Sequence, residues 1–263
     1  MGLIVNGKDL GGPAGIAIRN YLTDKTVANL RNAARPPGER VVEIISHETV
    51  TRSWADTVRV LQVQKLGVHL IVDEHGAVAQ HADLAADMTW HASQHNGPSV
   101  GIELVNPYVP EYMPAGGPWK DVLDPCPWAA GGKYVLPLPA QAETLAQLVG
   151  WLTSPASTLP IPLWWPTFDG NAIAMSRVAA SAAPPNPGVQ AHCAFGHADG
   201  PLLVLYLFLR LELGLSAQDA FAQARARAVK AVAPGYLADV SDLLTAPPLA
   251  PLSAAGPTEE PHA

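Results

Sequence analysis

Four separated segments of this 263-residue chain carry residue types that make chemistry together. They are Ile45-Ser46-His47-Glu48-Thr49, Trp90-His91-Ala92, Ser99 to Asn106, and Ala191-His192-Cys193 followed by His197-Ala198-Asp199-Gly200-Pro201. Two imidazoles and a carboxylate can hold one zinc ion and leave its fourth position to water. A glutamate at the end of a buried strand, here Glu103, can then take that water's proton. Such a set is suited to metal-assisted amide hydrolysis. Any one of these histidines alone is more readily a structural residue; their positions at strand and helix ends give them weight.

The elements that must position them are legible in outline. Val41 to Ser46 is β-branched and runs straight into His47, as a strand would. Ser53 with Asp56 three residues on is a capping signal for a helix through Gln64 that ends at Gly67. Val68 to Val72 and Ala77 to His81 flank Asp73-Glu74-His75-Gly76 and read as a hairpin. Val100 to Val105 is a further apolar strand, expected at the sheet centre. Two long irregular excursions follow, Asn106 to Pro139 and Ser154 to Pro187, both rich in proline and tryptophan. Helical spacing returns at Ala140 to Leu152. Gly200-Pro201 opens a helix to about Leu213, closed by Gly214, and Ser216 with Asp219 opens another to about Ala231. The class expected is α/β, a mixed central β-sheet flanked by helices in a single domain with long irregular insertions. Residues 1–38 read as an N-terminal extension, 39–245 as the domain, and 246–263 as a disordered Pro/Ala-rich tail.

Composition narrows the function classes. Apolar residues make up 48% of the chain, enough for a sizeable core. The net charge is −7 with no long basic run, which argues against nucleic acid and anionic membrane surfaces as partners. The longest apolar run, Leu202 to Leu209, is too short to span a bilayer, so no membrane insertion is expected. Two cysteines, Cys126 and Cys193, allow at most one disulfide, and free buried thiols are the expectation. No signal peptide is visible, which implies synthesis in the cytoplasm, with action there or after release or delivery to a cell wall.

The ordered motifs resemble those of the zinc-dependent N-acetylmuramoyl-L-alanine amidases. These type 2 amidases include bacteriophage lysozyme-like enzymes and peptidoglycan recognition proteins. His47-Glu48-Thr49 resembles the family's H-x-T after its first strand. His69 to Gln80 resembles its histidine hairpin, Trp90-His91-Ala92 its W-H-A, and Ser99 to Leu104 its S-(I/V)-G-I-E strand. The likeness covers roughly residues 40 to 215. It implies an amidase domain that binds peptidoglycan or muropeptide and cuts the amide between N-acetylmuramic acid and L-alanine. It implies Zn2+ held by His47, His192 and Asp199, with Glu103 as general base. His197 stands where the family often has a lysine, and is the implied oxyanion-stabilising residue. His91, Trp90 and Asn106 are the expected substrate contacts.

The sequence also departs from the family pattern. The loop between His192 and Asp199 is short and lacks the usual Pro-Gly-Arg-Lys stretch. His197 in place of His192, or Cys193 in place of Asp199, stay open as ligands. His69 is expected in the core or behind the site, and His75, His81 and His95 at surface or hairpin positions. Trp119, Trp128, Trp164 and Trp165 could stack on sugars or cap the core. A non-catalytic peptidoglycan-binding module and a cytosolic amidase acting on anhydro-muropeptides are the rival functions.

Overall fold

The computed structural model describes residues 1–232 and 235–244. Its core is a six-stranded sheet. The strands are β1 (Ile18–Asn20), β2 (Glu43–Glu48), β3 (Leu70–Val72), β4 (Val78–Gln80), β5 (Ser99–Leu104) and β6 (Gly188–Ala191), in spatial order β6-β2-β5-β3-β4-β1. β6, β2, β5 and β3 run parallel, β4 turns back antiparallel to β3, and β1 lies parallel to β4. The sheet is therefore mixed, as expected. Every residue of β2 is buried, which fits its β-branched sequence and its place between two neighbours.

Four helices flank the sheet: α1 (Trp54–Gln64), α2 (Pro139–Leu152), α3 (Pro201–Leu207) and α4 (Ala217–Ala228). Strand alternation divides the core. Ile44, Leu70, Val72, Ile102 and Leu104 pack in one cluster with Leu145, Leu148 and Val149 of α2 and Leu203 of α3. Ile71 packs in a second cluster with Val58 and Leu61 of α1. Ile71, Glu103 and His47 stand in line across β3, β5 and β2, so His47 and Glu103 share the face that α1 partly covers.

Ser53 caps α1 as expected, its Oγ accepting from the Asp56 N–H at 3.2 Å. The helix runs to Gln64 as expected, and it is closed by Lys65 in the left-handed region (φ 57°), two residues before the expected Gly67. The helix opened by Pro201 passes into a π-helical turn at Phe208–Glu212 instead of staying regular to Leu213.

Residues 1–38, read as an extension, are in part woven into the domain. β1 is the edge strand, Asn32–Ala34 pairs with Asp87–Thr89, and Leu3, Val5 and Ile18 enter the core. The excursion from Ser154 to Pro187 contains Ala172–Ala174, which pairs antiparallel with Leu237–Asp239. Cys126 and Cys193 are free and buried. No helix among the described residues is long and apolar enough to cross a membrane. The tail from Ala246 lies outside the described residues.

Candidate active site

The site lies at the C-terminal edge of the parallel strands. His47 is the fifth residue of β2, and His192 follows directly on β6. The chain then turns through Phe195 and closes a short loop, with the Cys193 N–H donating to the Asp199 carbonyl at 3.0 Å. That closure carries Asp199 back beside His192. The next residue, Gly200, has φ 85°, and a Cβ there would stand 2.9 Å from the Ala191 Cβ. Only glycine fits this turn, which presses the start of α3 onto β2 and β6.

His47, His192 and Asp199 each offer one donor atom, and the three atoms lie within 4.8 Å of one another. His192 Nδ1 is 3.1 Å from both Asp199 oxygens, and His47 Nδ1 is 3.5 Å from Oδ2. All three side chains are largely buried. Burial pushes the His47 pKa down to about 4, helped by the neighbouring His192. Burial alone would raise Asp199, but the neighbouring His192 and His47 imidazoles outweigh it and hold the carboxyl below its usual range. Two imidazoles and a carboxylate form a donor set of the kind that suits zinc.

The tautomer of His47 can be read from its partners. Ser99 Oγ donates to the His95 carbonyl, so it accepts from His91 Nε2–H at 3.0 Å. His91 Nδ1 is then the acceptor for His47 Nε2–H, at 3.0 Å. This leaves His47 Nδ1 bare and aimed at Asp199 and His192. The His91 ring lies over Gly101, where a Cβ would approach to 2.7 Å. His91 also lines the cavity around the site, so it is both wall and support.

Glu103 pairs with His47 across β2 and β5 and opens into the same cavity of about 560 Å³ as His192, His197 and Asp199. Its Oε2 is buried and has no hydrogen-bond partner among the described residues. Burial raises its pKa well above the usual value, and the charges of Asp199 and Glu48 add to this. A buried carboxyl with an unused oxygen beside such a donor group is chemically able to carry a proton.

His197 is exposed and stacks on His192, with ring centroids 3.7 Å apart and 13° between planes. Burial and His192 lower its pKa. It lies outside the three-donor group. Trp90 lines both this cavity and an adjoining one of about 570 Å³, and the Arg31 guanidinium covers its ring at 4.1 Å.

Several side chains stand elsewhere than the sequence suggested. Asn106, expected to touch substrate, is fully buried; its amide nitrogen donates to Glu48 Oε1 at 2.8 Å and to the Val135 carbonyl at 3.0 Å. His81 and His95 are buried, not superficial. His95 Nδ1 lies 2.9 Å from Glu43 Oε2, and His81 sits between the Ala28 carbonyl and the Trp54 indole. Cys193 is buried and its pKa is well above the thiol range, so it is a poor ligand candidate. Trp119 and Trp165 are buried in the core, and Trp164 is exposed and lines neither cavity. The excursions wall the cavities through Tyr108 and Tyr112 on one side and Arg177 and Val178 on the other.

Sequence reasoning passed over Glu48. It accepts from the Tyr134 hydroxyl, from Asn106, and from the Gly200 N–H at 2.8 Å. Burial raises its pKa to about 7 against these donors. Its signal was a charged residue inside a strand buried on both faces.

The sheet, its flanking helices and the clustered donors at its edge define a mixed α/β domain with a candidate metal centre. Residues 37–160 match the family model described as N-acetylmuramoyl-L-alanine amidase. That match places residues 37–160 of the chain in the amidase family. The matched span includes His47 and Glu103 and stops before His192 and Asp199. No curated protein matches the chain. Among solved structures it is similar to a selenomethionine derivative of AmpD, at 14% identity and TM-score 0.36, over 68% of this chain and 82% of that one. It is also similar to Drosophila peptidoglycan recognition protein SA (10%, TM-score 0.39, 67% and 80%). A third likeness is to Staphylococcus aureus hydrolase AmiA in complex with its ligand (12%, TM-score 0.39, 78% and 71%).

Proposed function

We propose that this chain is a zinc-dependent amidase that hydrolyses the bond between the lactyl group of N-acetylmuramic acid and the L-alanine of the stem peptide. The observation that carries the reading is the pairing of His47 with Glu103 on adjacent strands, in one cavity with His192 and Asp199. Zinc held by His47, His192 and Asp199 would supply a Lewis acid for the scissile carbonyl and lower the pKa of a water to about 7.

The protein's own groups do the rest. Glu103 takes a proton from the attacking water and passes it to the leaving amine nitrogen. A raised pKa suits a carboxyl that must both accept and return a proton near neutrality. His197, neutral at that pH because burial and His192 lower its pKa, donates an N–H to the oxygen that gains charge in the transition state. Trp90 and His91 line both cavities, and on this reading one would take the sugar and the other the peptide.

Digestion of purified peptidoglycan, followed by mass spectrometry, tests the reading. Free stem peptides with new L-alanine amino termini and intact glycan strands are expected. New reducing sugar ends without new amino termini would refute it. Binding to peptidoglycan with no cleavage and no stoichiometric zinc would favour the non-catalytic alternative.

A further inference from the structure

We infer that Glu48 is a positioning residue that holds Asp199 in place for the metal by bracketing it from both sides. The inference rests on the zinc reading above. The Glu48 backbone N–H donates to Asp199 Oδ2 at 3.4 Å. Its side-chain Oε2 accepts from the N–H of Gly200, the peptide that follows Asp199. The same carboxylate is anchored by the Tyr134 hydroxyl and the Asn106 amide. Asn106 in turn is tied to the Val135 carbonyl. Glu48 thus joins β2, the exit of β5, the Tyr134–Val135 strand and the first turn of α3.

Strand alternation turns the Glu48 side chain to the opposite face of β2 from His47. It does not compete as a ligand; it reaches beneath the turn that presents one. The consequence sharpens when metal is considered. Among the described residues the Asp199 carboxylate has three partners, the His47 and His192 imidazoles and the Glu48 N–H. A ring nitrogen that gives its lone pair to a metal does not donate to Asp199. The contact with the Glu48 backbone then remains, together with the Gly200 tie to its side chain.

A carboxylate is the right group here because three donors converge on it and it has only acceptors to offer. A glutamine has one acceptor oxygen and would face at least one of those donors with its own N–H.

The test compares wild-type protein and Glu48→Gln for zinc affinity, by competition with a chromogenic chelator. The visible spectrum after cobalt substitution reports ligand geometry. Glu48→Gln is expected to stay folded without metal, to lose zinc affinity about 10- to 100-fold, and to shift the cobalt bands. Asn106→Ala, which frees one Glu48 oxygen, should weaken zinc by a smaller factor and serves where Glu48→Gln does not fold. Wild-type zinc affinity and an unchanged cobalt spectrum in a folded Glu48→Gln, or wild-type affinity in Asn106→Ala, would overturn the inference. Wild-type protein that takes up no zinc would overturn the zinc reading first, so the two failures are distinguishable.

Discussion

His91 decides which nitrogen of His47 faces Asp199 and His192. Its Nδ1 lies 3.0 Å from His47 Nε2, and the chain of donors beyond it ends on a backbone carbonyl that can only accept. The tautomer is therefore set from outside the ligand group. Replacing His91 with phenylalanine keeps a ring over Gly101 but removes the acceptor. Zinc affinity should fall about 10- to 100-fold with the fold retained. Chelator competition and circular dichroism check this; undiminished affinity would show that His47 orients itself.

Glu103→Gln keeps shape but accepts no proton. The variant should fold, bind zinc as wild type does, and lose rate by roughly 10²–10⁴. Near-normal turnover by the folded, zinc-loaded variant would remove Glu103 from the mechanism.

His192 and His197 stack, yet only His192 belongs to the donor group. His192→Ala should lose zinc and activity together. His197→Ala should keep zinc and lose rate by about 10²–10³, the scale of one oxyanion donor. Metal analysis of the purified variants decides; the reverse pattern would exchange their roles.

Two buried histidines away from the metal site predict how stability responds to acid. His69 Nδ1 accepts from the Gly101 N–H at 3.1 Å, and His81 Nε2 accepts from the Trp54 indole at 3.3 Å. A proton on either nitrogen would set donor against donor. Burial lowers their pKa values to about 3 and about 4. Between those values and the unfolded value of about 6.5 the unfolded chain binds more protons, so stability falls as pH falls through this window. The buried carboxyls Glu48 and Glu103, whose pKa values are raised, act with the opposite sign, so the test is a comparison: the melting temperature of metal-free His81→Gln should fall less from pH 7 to pH 4 than that of the wild type. An identical pH dependence in the two proteins would contradict the assigned His81 tautomer.

Arg177 is the only lysine or arginine among the described residues lining the two cavities that meet at Trp90 and His91. It is exposed and makes no hydrogen bond to another described residue. On the proposed function, its counterion would be a free carboxylate on the stem peptide. Arg177→Gln should raise KM about three- to tenfold on substrates with that carboxylate, leave kcat unchanged, and matter little when the carboxylate is amidated. Steady-state kinetics on the paired substrates check this; an equal effect on both would show that Arg177 does not pair with that carboxylate.

Much of this was legible before the structure. β2 and β5 announce themselves through β-branched runs, and their parallel pairing follows once both are in one sheet. That pairing is what brings His47 level with Glu103. The capped start of α1 and the Gly-Pro start of α3 carry local signals that survive folding. The edge strand β1 and the Ala172–Ala174 pairing do not, because three residues are too few to show alternation and their partners lie about 60 residues away. Asn106 illustrates a different limit. Its type and its place after the Glu103 strand suggested a substrate contact, but its partners come from Glu48 and Val135, and only the assembled fold shows that its donors are already taken. Glu48 was hidden by adjacency to His47: a carboxylate next to a ligand reads as surface until both faces of its strand are known to be covered.

The donor group also has a chronology. Asp199 lies 151 residues beyond Glu48, the residue whose N–H it meets. A chain leaving the ribosome presents His47 and Glu103 early and gains His192 and Asp199 only after most of its length has appeared. β6 must dock on β2 before the proposed ligands meet. Hydrolytic capacity would then arrive in a single late step, and a chain interrupted short of α3 would be silent toward its substrate, however well its first strands had formed.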